Sequence, residues 1–417
     1  MSKQTNHLSP AGPTRREFLR LAAAAVAAPY VITSTALGAE GRPAASDRIV
    51  MGGIGIGNMG SGDMRRFLGD DRVQYVAACD VVKSKRDGAK GRADGKYGDG
   101  ACTAYTDFRE LLARTDIDAI HTACPDHWHA LITVAACRSG KDVYCQKPLS
   151  LTIRDGRAMV DAARRYHRVV SGGSQRVLGD TGGVAATRWS GKLGNVRQVY
   201  VNCGGPSWPC NLPGEPVPEG LDWDMWLGPA PYAPYHPWRI SGSYSINGKS
   251  WRSWQDYSGG GMTDWGAHKF GGALFAAGLA LAGPREIIPP NGRDVEKLTY
   301  VFDGGIRVFH TGSSNAPHSH SQSGVTIVGD GEQVAPQDMP RYHGRDIYDD
   351  FLTCVQTRQR PFRNVEISHR TASVCHLGNI AYQLKRPLKW DPVKEEFPGD
   401  EQANRLVNRA KRAPWAL

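Results

Sequence analysis

Short apolar runs alternate with longer amphipathic segments from residue 47 to about residue 173. The apolar runs predict strands at residues 49–54, 73–79, 119–124, 143–145 and 169–171. The segments between them predict helices at residues 59–68, 108–113, 129–139 and 153–167, which are bounded by Gly, Pro or Asp. Strands that alternate with crossover helices are typical of a parallel sheet, so residues 40–173 are predicted to form a doubly wound α/β domain.

The pattern changes after residue 173 to irregular sequence rich in Gly, Pro, Trp and Tyr. Strand-like runs then follow at residues 196–202, 298–302, 306–311 and 325–329. Helical periodicity returns at residues 345–356 and 368–384, and a short basic helix is predicted from residue 401 onward. Residues 174–417 are therefore predicted to form a second, α+β domain. A chain of 417 residues is long enough for two hydrophobic cores.

The first 39 residues have the features of an export signal. Thr14, Arg15 and Arg16 precede an uncharged apolar stretch at residues 21–37, which ends in small residues at Ala39. This segment resembles a twin-arginine signal, so we expect residues 1–39 to be removed and the mature protein to be periplasmic or otherwise extracytoplasmic. A membrane anchor is the alternative, but Pro29 interrupts the stretch, which is shorter than the roughly 20 residues of a spanning helix.

Charge and cysteine content exclude several classes of protein. The formal net charge is +10, from 51 Lys and Arg against 41 Asp and Glu. No basic stripe, zinc-finger motif or RNA-binding motif occurs, so nucleic acid is not an expected partner. The nine cysteines include no CxxC pair, so neither a zinc site nor a disulfide framework is predicted. A disulfide between Cys203 and Cys210, which flank a Gly- and Pro-rich loop, remains open.

A glycine motif lies between the first predicted strand and the first predicted helix. It reads Gly55, Ile56, Gly57, Asn58, Met59 and Gly60. The first glycine permits a tight turn, the second lets a pyrophosphate approach the backbone, and the third lets helix and strand pack closely. Asp80 lies 20 residues after Gly60, where a carboxylate binds ribose hydroxyls. The motif predicts a dinucleotide site that favours NAD, while Lys83, Lys85 and Arg86 leave NADP open.

Three further segments carry a resemblance to a known family. They are Cys124-Pro125-Asp126-His127-Trp128-His129, Cys145-Gln146-Lys147-Pro148, and the segment from Gly259 through Asp264 to His268. With the glycine motif they resemble the Gfo/Idh/MocA family (glucose-fructose oxidoreductase, inositol dehydrogenase and MocA), especially its exported branch, over nearly the whole mature chain. The resemblance implies an NAD(P)-dependent oxidoreductase whose C-terminal domain contains an open, mainly antiparallel sheet.

The resemblance also implies that Lys147, Asp264 and His268 are catalytic. Oxidation of a secondary alcohol needs a base for the hydroxyl proton, a group that orients and polarises the oxygen, and a nicotinamide that accepts hydride. Lys147 follows the fourth predicted strand, and the carboxyl ends of such strands face the ligand crevice. Asp264 and His268 are four residues apart, so on a helix they share one face and the carboxylate is expected to hold the imidazole. Gln146 stands where the family usually has glutamate, which removes a charge beside Lys147.

The segment that begins at Pro125 is expected to line the cofactor. Pro125 ends a predicted strand, and the resemblance implies that Pro125, Asp126 and His129 lie along the dinucleotide together with Lys147. Asp126 stands where many relatives have asparagine. No metal site is predicted, because no compatible cluster of carboxylates or cysteines accompanies the paired histidines, which are His127 with His129 and His318 with His320.

Seven of the eleven tryptophans lie between residues 208 and 265. Proteins commonly hold sugar rings on flat aromatic faces with Arg and Asp nearby, so a carbohydrate is the expected substrate class. Packing in the core of the second domain is an equally good explanation for each single tryptophan. The expected wall residues of a substrate site are Arg176, Trp254, Tyr257 and Lys269.

The leading functional hypothesis is therefore oxidation or reduction of a secondary alcohol or carbonyl of a sugar, polyol or glycoside. Free dinucleotide is scarce outside the cytoplasm, so an exported enzyme is expected to retain and recycle its cofactor. Two alternatives stay open: NAD-dependent glycoside cleavage through transient oxidation, which some relatives catalyse, and a non-catalytic dinucleotide- or sugar-binding protein. The resemblance also implies a homodimer or homotetramer, and no stable membrane span is expected after signal cleavage.

Overall fold

The computed structural model describes residues 44–242 and 250–417. Ile49–Leu417 form one compact unit, and Ala45–Asp47 form a short 3-10 helix. The expected export signal lies outside the described residues. Within the described part of the chain, no helix is both long and apolar enough to cross a bilayer.

A six-stranded parallel sheet forms the first half of the compact unit. Its strands are β1 (Ile49–Ile54), β2 (Val73–Cys79), β3 (Thr103–Tyr105), β4 (Ala119–Thr122), β5 (Asp142–Cys145) and β6 (Val170–Gly172). They lie in the order β3-β2-β1-β4-β5-β6, and the strand order reverses between β1 and β4. The carboxyl ends of the strands at such a reversal form the ligand crevice of a doubly wound sheet. The prediction of a doubly wound α/β fold is confirmed.

Helices connect these strands on both faces of the sheet. They are α1 (Asn58–Leu68), α2 (Lys83–Tyr97), α3 (Phe108–Ala113), α4 (Asp126–Arg138) and α5 (Ile153–Arg165). The sequence pattern missed α2 because this helix buries only Ala89 and Ala93, so it has no wide apolar stripe. Helix α4 begins at Asp126, three residues before its predicted start, with Pro125 at the N-cap position.

A seven-stranded mixed sheet forms the second half. Its strands are β7 (Val196–Val201), β8 (Glu286–Ile288), β9 (Thr299–Val301), β10 (Arg307–His310), β11 (Ser319–Gln322), β12 (Val325–Gly329) and β13 (Leu388–Lys389). Only β7 and β10 pair in parallel, so the mainly antiparallel sheet that the resemblance implied is confirmed. The sequence pattern missed β8, β11 and β13, which have two to four residues each and too few apolar positions to show an alternation.

The remaining helices surround this second sheet and the crevice. They are α6 (Arg176–Trp189), α7 (Trp223–Leu227), α8 (Pro237–Ile240), α9 (Gly261–Asp264), α10 (Gly266–Ala276), α11 (Ile347–Thr357), α12 (Val365–Leu384) and α13 (Glu401–Asn404). Helices α6, α10 and α12 pack against the sheet and share its core, where Phe270 of α10 meets Tyr300 of β9 with ring centroids 5.6 Å apart. Three short 3-10 helices complete this half, at Trp251–Ser253, Asp303–Gly305 and Arg405–Val407.

Helix α11 crosses back to the first half of the molecule. Its buried residues Ile347 and Phe351 belong to the same core cluster as Met51, Phe67 and Tyr75. The first core is therefore completed by a segment that follows the second sheet in sequence, although the predicted boundary at residue 173 assigned that segment to the second domain.

The cysteines all lie in the described residues and all are thiols. No disulfide joins Cys203 and Cys210 in this structure. Burial raises the pKa of the Cys203 thiol to about 12, so this residue is a poor nucleophile at neutral pH.

Candidate functional site

The glycine motif forms the turn between β1 and α1. Gly55 has a φ of +80°, and a Cβ on this residue would lie 2.7 Å from the Cys124 backbone nitrogen. A Cβ on Gly60 would lie 2.0 Å from the Gly55 carbonyl oxygen. A Cβ on Gly57, in contrast, would meet only the Nζ atom of Lys85, at 3.8 Å. The first and third glycines are therefore required by close packing, and the second leaves its backbone open to the crevice.

A cavity that is open to solvent, with about 910 Å³ of space including its mouth, extends from this turn along the carboxyl ends of the strands. It is lined by the glycine motif (Gly55, Gly57, Asn58 and Met59), by Asp80 and Lys85, by Cys124 and Pro125, and by Trp226, Trp251 and Arg252 of the second half. An open glycine backbone at a helix N-terminus suits a pyrophosphate, and the apolar walls suit flat rings. The residues present therefore fit a dinucleotide, with the glycine motif at its phosphates.

Asp80 holds the glycine turn as well as facing the cavity. Its Oδ2 accepts a hydrogen bond from the Ile56 backbone N–H at 2.7 Å, and its Oδ1 accepts one from the Val82 N–H at 2.8 Å. Each carboxylate oxygen keeps a second lone pair, with which it can accept a ribose hydroxyl. Burial raises the pKa of Asp80, and nearby Lys85 acts against that rise.

Lys147 lies just past β5 and pairs with Asp264 at the end of α9. The distance from Lys147 Nζ to Asp264 Oδ1 is 2.5 Å, and both side chains are largely buried. Arg252 Nε lies 3.3 Å from the same carboxylate oxygen. Arg252 also lines the cofactor cavity and stacks over the ring of Trp251, with Cζ 4.2 Å from the ring centroid. Two cations therefore converge on one carboxylate where the cavity meets the second half.

His268 is held by Ser174 and not by Asp264, so the expectation from their spacing is wrong. Trp265, the residue between α9 and α10, has helical φ and ψ of −82° and −30°, so the local backbone does not separate the two residues. Their partners come instead from distant segments, with Ser174 at His268 and Lys147 at Asp264. His268 Nδ1 lies 2.8 Å from Ser174 Oγ, whose hydroxyl can donate to the Ala267 carbonyl oxygen at 3.3 Å.

That arrangement favours the tautomer of His268 with a proton on Nδ1 and a lone pair on Nε2. Within residues 44–242 and 250–417, Nε2 has no hydrogen-bond partner. Burial, reinforced by the nearby charge of Lys147, lowers the pKa of His268 to about 2. The imidazole is therefore neutral at neutral pH and can accept a proton at Nε2.

Asp126 is the most unusual carboxylate of the site. It lies at the start of α4 with 1% of its surface exposed, and neither oxygen makes a hydrogen bond of normal geometry, although the Ser258 side chain lies close enough to act against the rise in its pKa. Burial, and to a smaller extent the neighbouring charge of Asp264, raises the pKa of Asp126 to about 7. A buried carboxyl with so few close polar neighbours is a group that a bound ligand is expected to satisfy.

Of the other residues predicted to bind the cofactor, Pro125 lines the cavity, as expected, and His129 does not. His129 has its ring nitrogens 2.8 Å from the carbonyl oxygens of Pro148 and Cys124. Its imidazole therefore connects α4 to the loop that carries Lys147, and it supports the position of this loop.

On the substrate side, Arg176 and Lys269 share one carboxylate. Asp180 Oδ2 lies 3.2 Å from Lys269 Nζ and 3.5 Å from Arg176 Nη1. Arg176 also lies over the ring of Trp265, with Cζ 5.3 Å from its centroid. Trp265 stands between Asp264 and His268 in sequence, contacts the His268 ring at 6.0 Å between centroids, and has 41% of its surface exposed. This cluster forms a cationic and aromatic rim beside the proton acceptor.

Trp254 and Tyr257 do not form such a rim. Trp254 is 4% exposed and Tyr257 is 0% exposed, and both belong to an aromatic core cluster with Trp223, Trp226 and Trp251. Their burial corrects the expectation that they contact a substrate, because neither has surface to offer. Core packing explains most of the tryptophan concentration in this segment.

One group of potential metal ligands lies in the described residues outside this site. The ligand atoms of His343, Asp350 and Cys354 are within 4.8 Å of one another. The carboxylate of Asp350 accepts backbone hydrogen bonds from His343 at 2.8 Å and from Phe362 at 2.9 Å. These bonds give Asp350 a structural role in joining two chain segments.

Three site residues escaped the sequence pattern: Ser174, Arg252 and Trp265. Ser174 follows the end of β6, so the rule that strand ends face the crevice was a usable signal for it. Trp265 lies inside the segment from Gly259 to His268, but a sequence motif does not reveal that its side chain is exposed. Arg252 lies in irregular sequence next to residues 243–249, which are not described, and nothing in the local pattern distinguishes it.

Comparison with known protein families gives two matches that follow this architecture. Residues 49–174 match the GFO/IDH/MocA model described as an oxidoreductase family with an NAD-binding Rossmann fold. Residues 206–287 and 329–417 match the model for the C-terminal alpha/beta domain of the same oxidoreductase family. The two matches together cover more than half of the chain.

Individual relatives and structures point the same way. A glycosyl hydrolase family 109 protein of Shewanella pealeana is 31% identical over 174 residues, which are 37% of this chain and 38% of that protein. An inositol 2-dehydrogenase of Salmonella paratyphi B is 31% identical over 115 residues, which are 27% of this chain and 32% of that protein. Crystals of the aldose-aldose oxidoreductase from Caulobacter crescentus with glycerol show a similar fold, with a TM-score of 0.54 and 17% identity over 82% of this chain and 99% of that one.

Proposed function

The chain belongs to the Gfo/Idh/MocA oxidoreductase family, and we propose that it transfers hydride between NAD and a secondary alcohol or ketone of a sugar, polyol or glycoside. One observation carries this proposal above the others. Arg252 lines the cavity at the glycine turn and also reaches the Asp264 carboxylate that pairs with Lys147, and the neutral His268 follows four residues after Asp264. We expect a dinucleotide and an alcohol to meet at this point. A binding protein without activity has no need for a proton acceptor at this place.

The chain's own residues divide the chemistry between them. Bound NAD supplies the acceptor for the hydride that leaves the carbinol carbon. The Lys147 ammonium, held by Asp264, orients the hydroxyl oxygen and stabilises the negative charge that grows on it. His268 Nε2 takes the hydroxyl proton, since its other nitrogen is held by Ser174 and Nε2 keeps its lone pair. Arg252 joins the ion pair to the cofactor cavity.

The substrate is expected to be a sugar ring that lies against Trp265. This tryptophan has 41% of its surface exposed next to the proton acceptor, so it offers aromatic surface against which a sugar ring can pack. Arg176 and Lys269 flank it and can donate hydrogen bonds to ring hydroxyls. Both cations also suit a substrate that carries a carboxylate.

Glycoside cleavage is a second candidate because one relative bears a glycosyl hydrolase name. In that reaction the sugar hydroxyl is oxidised only transiently, which acidifies the neighbouring C–H and allows the aglycone to be eliminated. The same Lys147 and His268 serve both reactions. The products separate the two candidates: a ketosugar in the first, and a released aglycone without net redox change in the second.

We extend the proposal to location and cofactor use. The twin-arginine pattern at residues 14–20 supports export of the folded protein, and a dinucleotide bound before export would accompany it. The retained cofactor would then be recycled on the enzyme, with one sugar oxidised and a second carbonyl compound reduced.

The deciding experiment starts with mature protein purified from its native compartment. Denaturation followed by mass spectrometry should release near-stoichiometric NAD or NADP. The intact protein should then convert pairs of sugars, one to an oxidised and one to a reduced product, without added cofactor. Protein that arrives without dinucleotide and oxidises or cleaves no sugar or glycoside when NAD is supplied would contradict the proposal.

A further inference from the structure

A buried polar cluster lies behind Lys147 and is not used by the chemistry above. Asp63 of α1 is 0% exposed, and Gln146 is 3% exposed. Gln146 Nε2 donates to both carboxylate oxygens of Asp63, at 3.0 Å each. Tyr348 donates its hydroxyl to Asp63 Oδ1 at 2.8 Å. All the described polar contacts of the Asp63 side chain are thus made inside this cluster.

The cluster joins three parts of the site that the sequence keeps far apart. Asp63 lies on the helix that the glycine turn starts, Gln146 directly precedes Lys147, and Tyr348 lies on α11. Gln146 Oε1 also accepts a hydrogen bond from the Lys147 backbone N–H at 3.2 Å. The side chain of Gln146 therefore links the Asp63 carboxylate to the backbone that carries Lys147.

Packing leaves these side chains little freedom. A Cβ on Gly173 would lie 3.0 Å from both Cα and Cδ of Gln146, so the glycine is needed for Gln146 to fit. The ring of Tyr348 stacks on Tyr144 of β5 with centroids 5.2 Å apart. The guanidinium of Arg66 also lies over the Tyr348 ring, with Cζ 5.3 Å from the centroid. Gln146 and Tyr348 therefore hold Asp63 in one geometry.

We propose that Asp63 and Gln146 form a carboxylate–amide pair that positions Lys147 against the cofactor-binding helix, with Tyr348 fixing the carboxylate from α11. The inference rests on the proposed role of Lys147. In this chain the buried negative charge behind the lysine sits on Asp63, and the amide at position 146 is the donor that this carboxylate requires. Asp63, Gln146 and Tyr348 are positioning residues, since their described hydrogen bonds are made with one another and with the backbone of Lys147.

An isosteric exchange of the two groups tests the pair. Gln146→Glu places a second carboxylate about 3.0 Å from Asp63 and removes the donor between them. Asp63→Asn combined with Gln146→Glu restores one donor facing one carboxylate, with the amide and the charge exchanged. Gln337→Glu, an exposed position that faces Arg188, is the matched control. Melting temperature is recorded for every variant to separate misfolding from misplacement.

Two measurements on the full chain carry the test. The first is the rate at which an amine-specific reagent labels Lys147, followed by peptide mass spectrometry. The second is kcat and KM on whichever sugar the enzyme accepts. We expect Gln146→Glu to change the labelling rate at least threefold and to lower kcat tenfold or more with KM changed less than threefold. The double variant should return both to within threefold of the natural protein, and the control should match it throughout.

Two results would overturn the inference. One is a double variant that performs no better than Gln146→Glu, and the other is a Gln146→Glu protein that melts normally and labels at the natural rate. If no sugar is turned over by the natural protein, the proposed function fails, and the labelling of Lys147 still decides whether Asp63 and Gln146 position it.

Discussion

The cofactor side and the substrate side of the crevice are built in different ways. On the cofactor side, backbone makes the surface: Gly55 and Gly60 are required by contacts with main-chain atoms, and Asp80 binds backbone N–H groups of the same turn. On the substrate side, side chains make it: His268 is held by Ser174, and Asp264 receives Lys147 and Arg252. A backbone surface is specified by a short stretch of sequence, whereas a side-chain surface depends on segments that only the fold brings together.

The largest expected effect comes from the residue where the two sides meet. Lys147→Met removes the cation that stabilises charge on the substrate oxygen, and we expect kcat to fall by about a thousandfold or more. The dissociation constant of NAD should change less than about threefold, because the glycine turn makes no contact with this side chain. Stopped assays with NAD titrated by fluorescence quenching measure both quantities.

Lys192→Met is the control, since Lys192 is exposed in the turn after α6. It should leave both quantities unchanged. Normal turnover by the Lys147→Met protein would show that the lysine takes no part in the reaction. His268 would then be the one remaining catalytic group proposed on the substrate side.

The same contrast explains what the sequence could reveal. The bounds of β1 and β2 and the place of the glycine turn between β1 and α1 were predicted correctly, because each depends on residues that are close together in the chain. The binding of a ribose by Asp80 stays a prediction. The pairing of Asp264 with His268 was predicted from their spacing on a helix, but partners from distant segments decide the contacts: Ser174 binds His268, and Lys147 binds Asp264. Tyr257 was assigned to a substrate wall from composition alone, and burial could not be read from composition.

The second prediction concerns Asp126, which belongs to neither side. Its pKa is about 7 in the folded protein against 3.8 as the ordinary value, so the folded state keeps a proton that the unfolded state loses between these pH values. Folding is therefore penalised progressively as pH rises through this window, by at most about 4 kcal/mol above it. Asp126→Asn carries no such charge, so its free energy of unfolding should exceed that of the natural protein at about pH 8 and match it near pH 4.

Urea unfolding of both proteins at these two pH values provides the measurement. Equal stability at the higher pH would mean that the carboxylate is ionised and well solvated, which would contradict its isolation at the start of α4. If bound NAD satisfies this carboxyl, the difference in free energy of unfolding between the two proteins at the higher pH should disappear when NAD is present in excess.

The third prediction isolates the cofactor side within a single helix. Gly60→Ala forces a Cβ to within 2.0 Å of the Gly55 carbonyl oxygen, so the turn must shift, and we expect NAD affinity to fall about a hundredfold. Gly62→Ala, two residues further along α1, meets nothing within 4 Å. It should keep NAD affinity and add up to about 1 kcal/mol of stability, because alanine favours the helix. Calorimetric titration with NAD compares the two, and equal affinities would show that the turn tolerates the displacement.

The smallest expected effect isolates the substrate side. Trp265→Ala removes the exposed aromatic surface beside His268, and loss of one packing contact is expected to raise KM for the sugar about three- to tenfold. NAD affinity should stay unchanged, because Trp265 does not line the cofactor cavity. Trp265→Phe keeps a flat face and should recover most of the loss. If Trp265→Ala instead lowers kcat while KM stays constant, the role of Trp265 is to fix the junction between α9 and α10. The substrate must then be bound by Arg176 and Lys269 alone.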